Sequence, residues 1–156
     1  MILIDTSPLV ALCDGRDGRH AESIADLAAF GREALATCDA VLTETCFHLP
    51  HAHQRRRVQA LLRELDVRIL PETIDDSLWN DVFEWLGRYA DHEPDWADGC
   101  LAVLSGRDRA LKVWTHDREF GTIWRRSDGT AIPTAARSRP RATALTPPAP
   151  HAVRPA

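Results

Sequence analysis

Met1-Ile2-Leu3-Ile4-Asp5-Thr6-Ser7-Pro8 opens the chain: large apolar residues, then a carboxylate, two hydroxyls and a proline. A short apolar run that stops at turn chemistry reads as a strand buried on both faces of a parallel sheet. Ser7 before Pro8 reads as a helix start, with Ser7 as N-cap and Pro8 at the first helical position, where a missing N–H costs nothing. Asp5 is thereby expected at the carboxyl end of a central strand. In open α/β sheets ligands bind in the crevice above those ends. A buried acid there is costly unless a donor or a cation meets it.

Working outward, apolar runs alternate with helical periods. Leu35 to Cys38, Val67 to Leu70 and Leu111 to Thr115 read as further strands, and Thr130 to Ile132 as an edge strand. A helix is expected from His20 to Arg32, with Ala21, Ile24, Ala25 and Ala28 on its inner face. Asp39 starts another, with Leu42, Cys46 and Leu49 inward and Pro50 closing it. Gln54 to Leu65 carries Val58, Leu61, Leu62 and Leu65 as a stripe. A long helix opens at Asp75 or Asp76, and another runs from Asp95 to about Ser105. This alternation predicts a three-layer α/β/α sandwich around a mostly parallel sheet, formed by residues 1–136.

Residues 137–156 differ. They hold five of the ten prolines and show no apolar period, so they are expected to be disordered and dispensable for folding and cleavage. They also hold four of the 19 basic side chains and no acid, leaving 15 basic against 23 acidic side chains in the rest. An acidic domain is a poor start for a nucleic-acid binder unless several acids converge on a divalent ion. The four cysteines have no zinc-type spacing and read as reduced core residues. No membrane span or signal peptide is visible, so a cytoplasmic location is expected.

Asp5 and Asp117 each follow an apolar strand and belong at the carboxyl rim. Asp95 and Asp98, three apart near a helix start, share one face. Glu44 sits early in a helix that directly follows a strand. Hard divalent cations take such oxygens. Each acid also has a structural reading, as a cap or a partner of the helix dipole, and spacing alone leaves both open. Thr6 and Thr115 are near enough to orient carboxylates, or to satisfy their own turns.

The motifs themselves resemble a known family. Ile2-Leu3-Ile4-Asp5-Thr6-Ser7-Pro8-Leu9-Val10-Ala11-Leu12 is similar to the opening of a PIN domain, and Ala40-Val41-Leu42-Thr43-Glu44 to its second acidic motif. Tyr89-Ala90-Asp91 through Asp95-Trp96-Ala97-Asp98 to Leu101-Ala102-Val103 resembles the third. Thr115-His116-Asp117-Arg118-Glu119-Phe120 resembles the fourth. The pattern over residues 1–133 looks most like the VapC-like toxins of bacterial toxin–antitoxin pairs. The resemblance implies a Mg²⁺- or Mn²⁺-dependent endoribonuclease with Asp5, Glu44, Asp98 and Asp117 as catalytic, metal-binding acids. It makes Asp95 auxiliary, beside Thr6 and Thr115, whose auxiliary role rests on their nearness to the acids in the sequence. It also implies an RNA substrate, a VapB-like antitoxin and a homodimer, for which Leu61, Leu62 and Leu65 offer apolar surface. Gly99-Cys100 stands where Ala-Ser is common, Ser7 where glycine is common, and His116 where an apolar residue is usual.

Other readings carry less. His48, His51 and His53 crowd a helix end without a fourth ligand at zinc spacing. Arg55-Arg56-Arg57 fits a solvated face as well as an RNA contact. Among the five tryptophans, Trp114 reads as core, and Trp79 and Trp85 as a helix–helix or dimer contact. Competing functions are a PIN-like nuclease of RNA processing, a catalytically silent PIN-like binding module, and an aspartyl-phosphate phosphatase or receiver. The phosphatase wants an acid where Ser7 stands, and the receiver an acidic pair the first strand lacks.

Overall fold

The computed structural model describes residues 1–70 and 76–135. Residues 71–75 and 136–156, including the proline-rich segment, lie outside the described residues. In chain order the elements are β1 (Ile2–Ile4), α1 (Thr6–Cys13), α2 (His20–Phe30), β2 (Leu35–Cys38), α3 (Asp39–His48) and α4 (Ala52–Glu64). There follow β3 (Arg68–Leu70), α5 (Asp76–Arg88), a 3-10 turn (Ala90–His92), α6 (Trp96–Arg107), β4 (Lys112–Trp114) and α7 (Glu119–Thr122).

The strands form one parallel sheet in the order β3-β2-β1-β4. Ile2 and Leu3 of β1 lie opposite Leu35 and Ala36 of β2, while Ile4 lies opposite Trp114 of β4. The chain first builds outward on one side of β1 and then returns to its other side. The strand order therefore reverses at β1, and the carboxyl ends of β1 and β4 flank the crevice where such sheets bind ligands. Ile2, Leu3 and Ile4 have no exposed surface, as expected for a strand covered on both faces. This is the three-layer α/β/α sandwich the alternation implies.

Local details depart from the sequence reading. Asp5, not Ser7, caps α1: its carboxylate accepts from Thr6 N at 2.6 Å, and Pro8 falls in the third helical position. The inner face of α2 is Ser23, Asp26, Leu27 and Phe30, and Ile24 is half exposed. Ser23 and Asp26 are buried because they meet β4's neighbourhood: Ser23 Oγ lies 2.7 Å from His116 Nε2, and Trp114 Nε1 donates to Asp26 at 3.3 Å. A hydrophobicity period cannot find a face held by polar contacts. In α3 the fully buried positions are Val41 and Thr45, with Leu42 only partly covered. Leu61, Leu62 and Leu65, read from the sequence both as the inner stripe of their helix and as dimer surface, pack partly buried against the chain's own core, as the first reading has it.

Trp85, read as a helix–helix or dimer contact, is a core residue of the chain itself. Its ring packs edge-on to Trp124 with centroids 5.5 Å apart, and its Nε1 donates to the Arg125 carbonyl at 2.7 Å. Gly99 marks the closest approach of α5 and α6: a Cβ there would lie 2.8 Å from Val82 Cγ1 and 3.3 Å from Leu86 Cδ2. The glycine is thus a packing device, not merely a weak point in the helix. Thr130 to Ile132 yields no strand but one antiparallel bridge, Arg125 to Ala131.

Candidate active site

β1 delivers Asp5 to the carboxyl rim, and β4 delivers Thr115 to Asp117 beside it. A cleft of about 610 Å³ opens above them, lined by Asp5, Thr6, Ser7, Asp17, Arg19, Glu44, His48, Asp95, Asp98 and Asp117 among others. All five acids singled out from the sequence therefore face one space, although they come from four separate stretches of chain.

Asp5 is the fixed point. It is buried, and its carboxylate accepts three hydrogen bonds: from Thr6 N at 2.6 Å, Ser7 Oγ at 2.9 Å and Thr115 Oγ1 at 2.7 Å. Burial raises its pKa to about 6; the three donors pull the other way, and the charge of Glu44 adds slightly to the rise. Thr115 does double duty, since its Oγ1 also accepts from Asp117 N at 2.8 Å. One hydroxyl thus ties the acid ending β1 to the acid ending β4. Thr6 Oγ1 donates to Glu44 Oε2 at 2.6 Å, which brings α3's acid to the start of α1. Both threonines hold carboxylates, as one of their two sequence readings required.

Asp95 and Asp98 cap α6 reciprocally. Asp98 N donates to Asp95 Oδ1 at 2.9 Å, and Asp95 N donates to Asp98 Oδ2 at 3.0 Å. The structural and cleft readings of Asp98 are therefore both met. Its pKa is raised to about 8, first by burial and then by the charges of Asp95, Asp5 and Asp117. Asp98 thus feels three other carboxylates that line the cleft. Asp117 is more exposed, and its Oδ1 accepts from Glu119 N at 2.9 Å, which starts α7.

Ser7 was missed as a site residue. Besides donating to Asp5, its Oγ accepts from His116 N at 3.0 Å, fastening β4's exit to α1. Its position two residues after Asp5 was the available signal. His48, also missed, lies 3.4 Å from Glu44 one helical turn away. It does not form a zinc site with its neighbours: His51 starts α4 and stacks on His53 at 5.7 Å. Among the described residues no three His, Cys, Asp or Glu side chains stand close enough to share an ion. The donor chemistry nonetheless suits a hard divalent cation: oxygens only, several charged, one pre-set by three hydrogen bonds. Asp5, Glu44, Asp98 and Asp117 face the cleft with such oxygens, but as they stand they are not gathered closely enough to share one ion.

The PIN domain family model matches residues 2–123. The chain belongs to the PIN domain family, a family of nucleases. Among solved structures, the PIN-domain chain here is similar to Mycobacterium tuberculosis VapC20, described as a toxin that cleaves the sarcin-ricin loop. The two share 24% identity and a TM-score of 0.64, over 76% of this chain and 92% of that one. At that identity the likeness speaks for the fold. None of the curated proteins matches. No helix among the described residues of this PIN domain is long and apolar enough to cross a membrane.

Proposed function

We propose that this PIN domain is a Mg²⁺- or Mn²⁺-dependent endoribonuclease and the toxin of a toxin–antitoxin pair. The observation that carries the reading is the buried Asp5, held by three donors at a strand reversal with Glu44, Asp98 and Asp117 facing the same cleft. Family membership supports nuclease chemistry, and the all-oxygen donor set supports a hard cation. A bound divalent ion would supply the positive charge that a reacting phosphodiester needs. The chain's own part is positional. Thr115 and Ser7 fix the Asp5 carboxylate, Thr6 fixes Glu44, and the reciprocal cap fixes Asp98 against α6. Asp95 shares the cleft as a further carboxylate to hold a water or accept a proton.

RNA cleavage by the full chain in Mg²⁺ or Mn²⁺, abolished by chelator, is the expected result. Asp98→Asn should lower the rate by at least about a hundredfold, on the scale of losing one preorganised charge. Cleavage that persists in chelator, or survives Asp98→Asn, would sink the reading. A VapB-like antitoxin and a homodimer belong to the same proposal. A monomer in sedimentation at micromolar concentration would count against the dimer.

A further inference from the structure

A second hollow, of about 540 Å³, opens beside the acid cleft between α3 and the start of α6. It shares Glu44, His48 and Asp95 with the cleft. Phe47 and Trp96 give it two large aromatic side chains, and Asp39 adds a third carboxylate to its lining. Phe47 is 79% exposed and meets His48 edge-on, with ring centroids 5.6 Å apart. Trp96 is 37% exposed; Phe83 packs against it at 5.1 Å, and Trp79 against Phe83 at 5.9 Å. Single exposed apolar residues need no explanation, but two rings from different helices lining one hollow do. The chemistry assigned to the acids uses neither ring.

We infer that this hollow is a subsite for one unpaired base of the RNA strand whose phosphate lies in the acid cleft, with Phe47 and Trp96 as its stacking rings. The inference rests on the ribonuclease reading and adds substrate selection to it. Three observations converge. The first is continuity. Phe47 follows Glu44 by one helical turn on the same face of α3, and Trp96 stands between Asp95 and Asp98, so a strand held at the acids runs past both rings. The second is the chemistry of the lining. Asp39, Glu44 and Asp95 face the hollow, and no lysine or arginine is among the described residues that line it. Such a lining repels a phosphate and suits a base, which offers a flat face to the rings and N–H donors to carboxylates that only accept. Adenine, with a donating amino group and a wide ring system, is favoured over uracil. The third is preparation: the volume is within the roughly 300–1,000 Å³ of small-ligand sites, and Phe83 already steadies Trp96, so less ordering is left to binding. A second copy of the chain seated on this face would bring its own three carboxylates to these with no basic side chain lining the hollow to offset them. The charge therefore favours RNA over a second copy as the occupant.

The test compares the full chain with Phe47→Ala and Trp96→Ala variants, all carrying Asp98→Asn to prevent turnover. Binding of short fluorescein-labelled oligoadenylate and oligouridylate in Mg²⁺ is followed by anisotropy across a salt series. The parent should bind oligoadenylate more tightly than oligouridylate. Each variant should bind oligoadenylate roughly five- to 150-fold more weakly, the range of one base–aromatic stack, and lose most of the preference. The slope of log affinity against log salt should stay as it was, because no phosphate contact is lost. Phe47→Tyr should restore binding. Phe47 lies outside the core cluster, so its variant should melt with the parent and carries the test if Trp96→Ala loosens the start of α6. A parent blind to the base, or a Phe47→Ala variant that binds as the parent does, would overturn the inference. So would a Phe47→Ala variant that turns a dimer into a monomer in sedimentation and keeps its RNA affinity per protomer, since a second copy would then cover the hollow. Cleavage by the chain without Asp98→Asn separates the two levels. If it cleaves and the rings do not matter, only the subsite fails. If it neither cleaves nor binds RNA, the ribonuclease reading fails as well.

Discussion

Asp5 concentrates the molecule's electrostatic conflict into one carboxyl group. Burial lifts its pKa from 3.8 to about 6, a shift worth roughly 3 kcal/mol between its protonation states. The folded chain holds that proton more tightly than the unfolded chain does. Without metal, the stability gained from it is present in full below about pH 4 and is lost as pH rises through 6. Asp98, raised for the same two kinds of reason, extends the loss toward pH 8. Thermal melting in chelator should accordingly fall between pH 4 and 8, and Mg²⁺ should restore it by binding only the folded state. A flat profile would mean that the acids do not share a field. Thr115→Val removes a donor to Asp5 and an acceptor for Asp117 N at once. The Asp5 pKa should then rise above 6, readable by carboxyl NMR in chelator, and cleavage should drop about tenfold or more. An unmoved pKa would make Thr115 a structural residue only.

At the scale of elements, the packing of α5 on α6 decides how Asp95 and Asp98 are presented. Gly99→Ala adds helix propensity worth about 1 kcal/mol but drives a methyl into Val82, whose stiff side chain cannot swing away. Overpacking of this kind costs about 1–3 kcal/mol, so a net loss of roughly 1 kcal/mol is expected in denaturant melts. Adding Val82→Ala should relieve the clash, and failure to do so would show that the helices were free to separate. The strands and the rim positions of Asp5 and Asp117 were legible because a short apolar run ending at an acid fits little besides a buried strand and its rim. The inner faces of α2 and α3 were not. Ser23, Asp26 and Thr45 are buried polar residues, and a period of apolar residues points past them. The cap of α1 was misassigned by two residues because Pro8 tolerates any first-turn position, while the Asp5 carboxylate competed better for Thr6 N. The acids could be gathered into one group by resemblance. Thr6 and Thr115 could be read from the sequence as near enough to orient carboxylates; which acid each holds, and that Ser7 joins them on Asp5, took three dimensions.

Across the whole molecule the parallel sheet gives every strand the same direction, so chemistry collects at one rim and the start of the chain at the other. Met1 sits at the amino edge, its ammonium 4.0 Å from Glu33, with Lys112 Nζ 3.5 Å from the same carboxylate. Thr134 leaves at the opposite edge, beside Asp117. Met1 and Thr134 are therefore unequal as places to attach anything. A solid support or a fluorescent protein joined ahead of Met1 hangs about three strand residues, on the order of 10 Å, behind the chemistry and should leave turnover as it was. The same cargo placed at Thr134 would stand in the doorway.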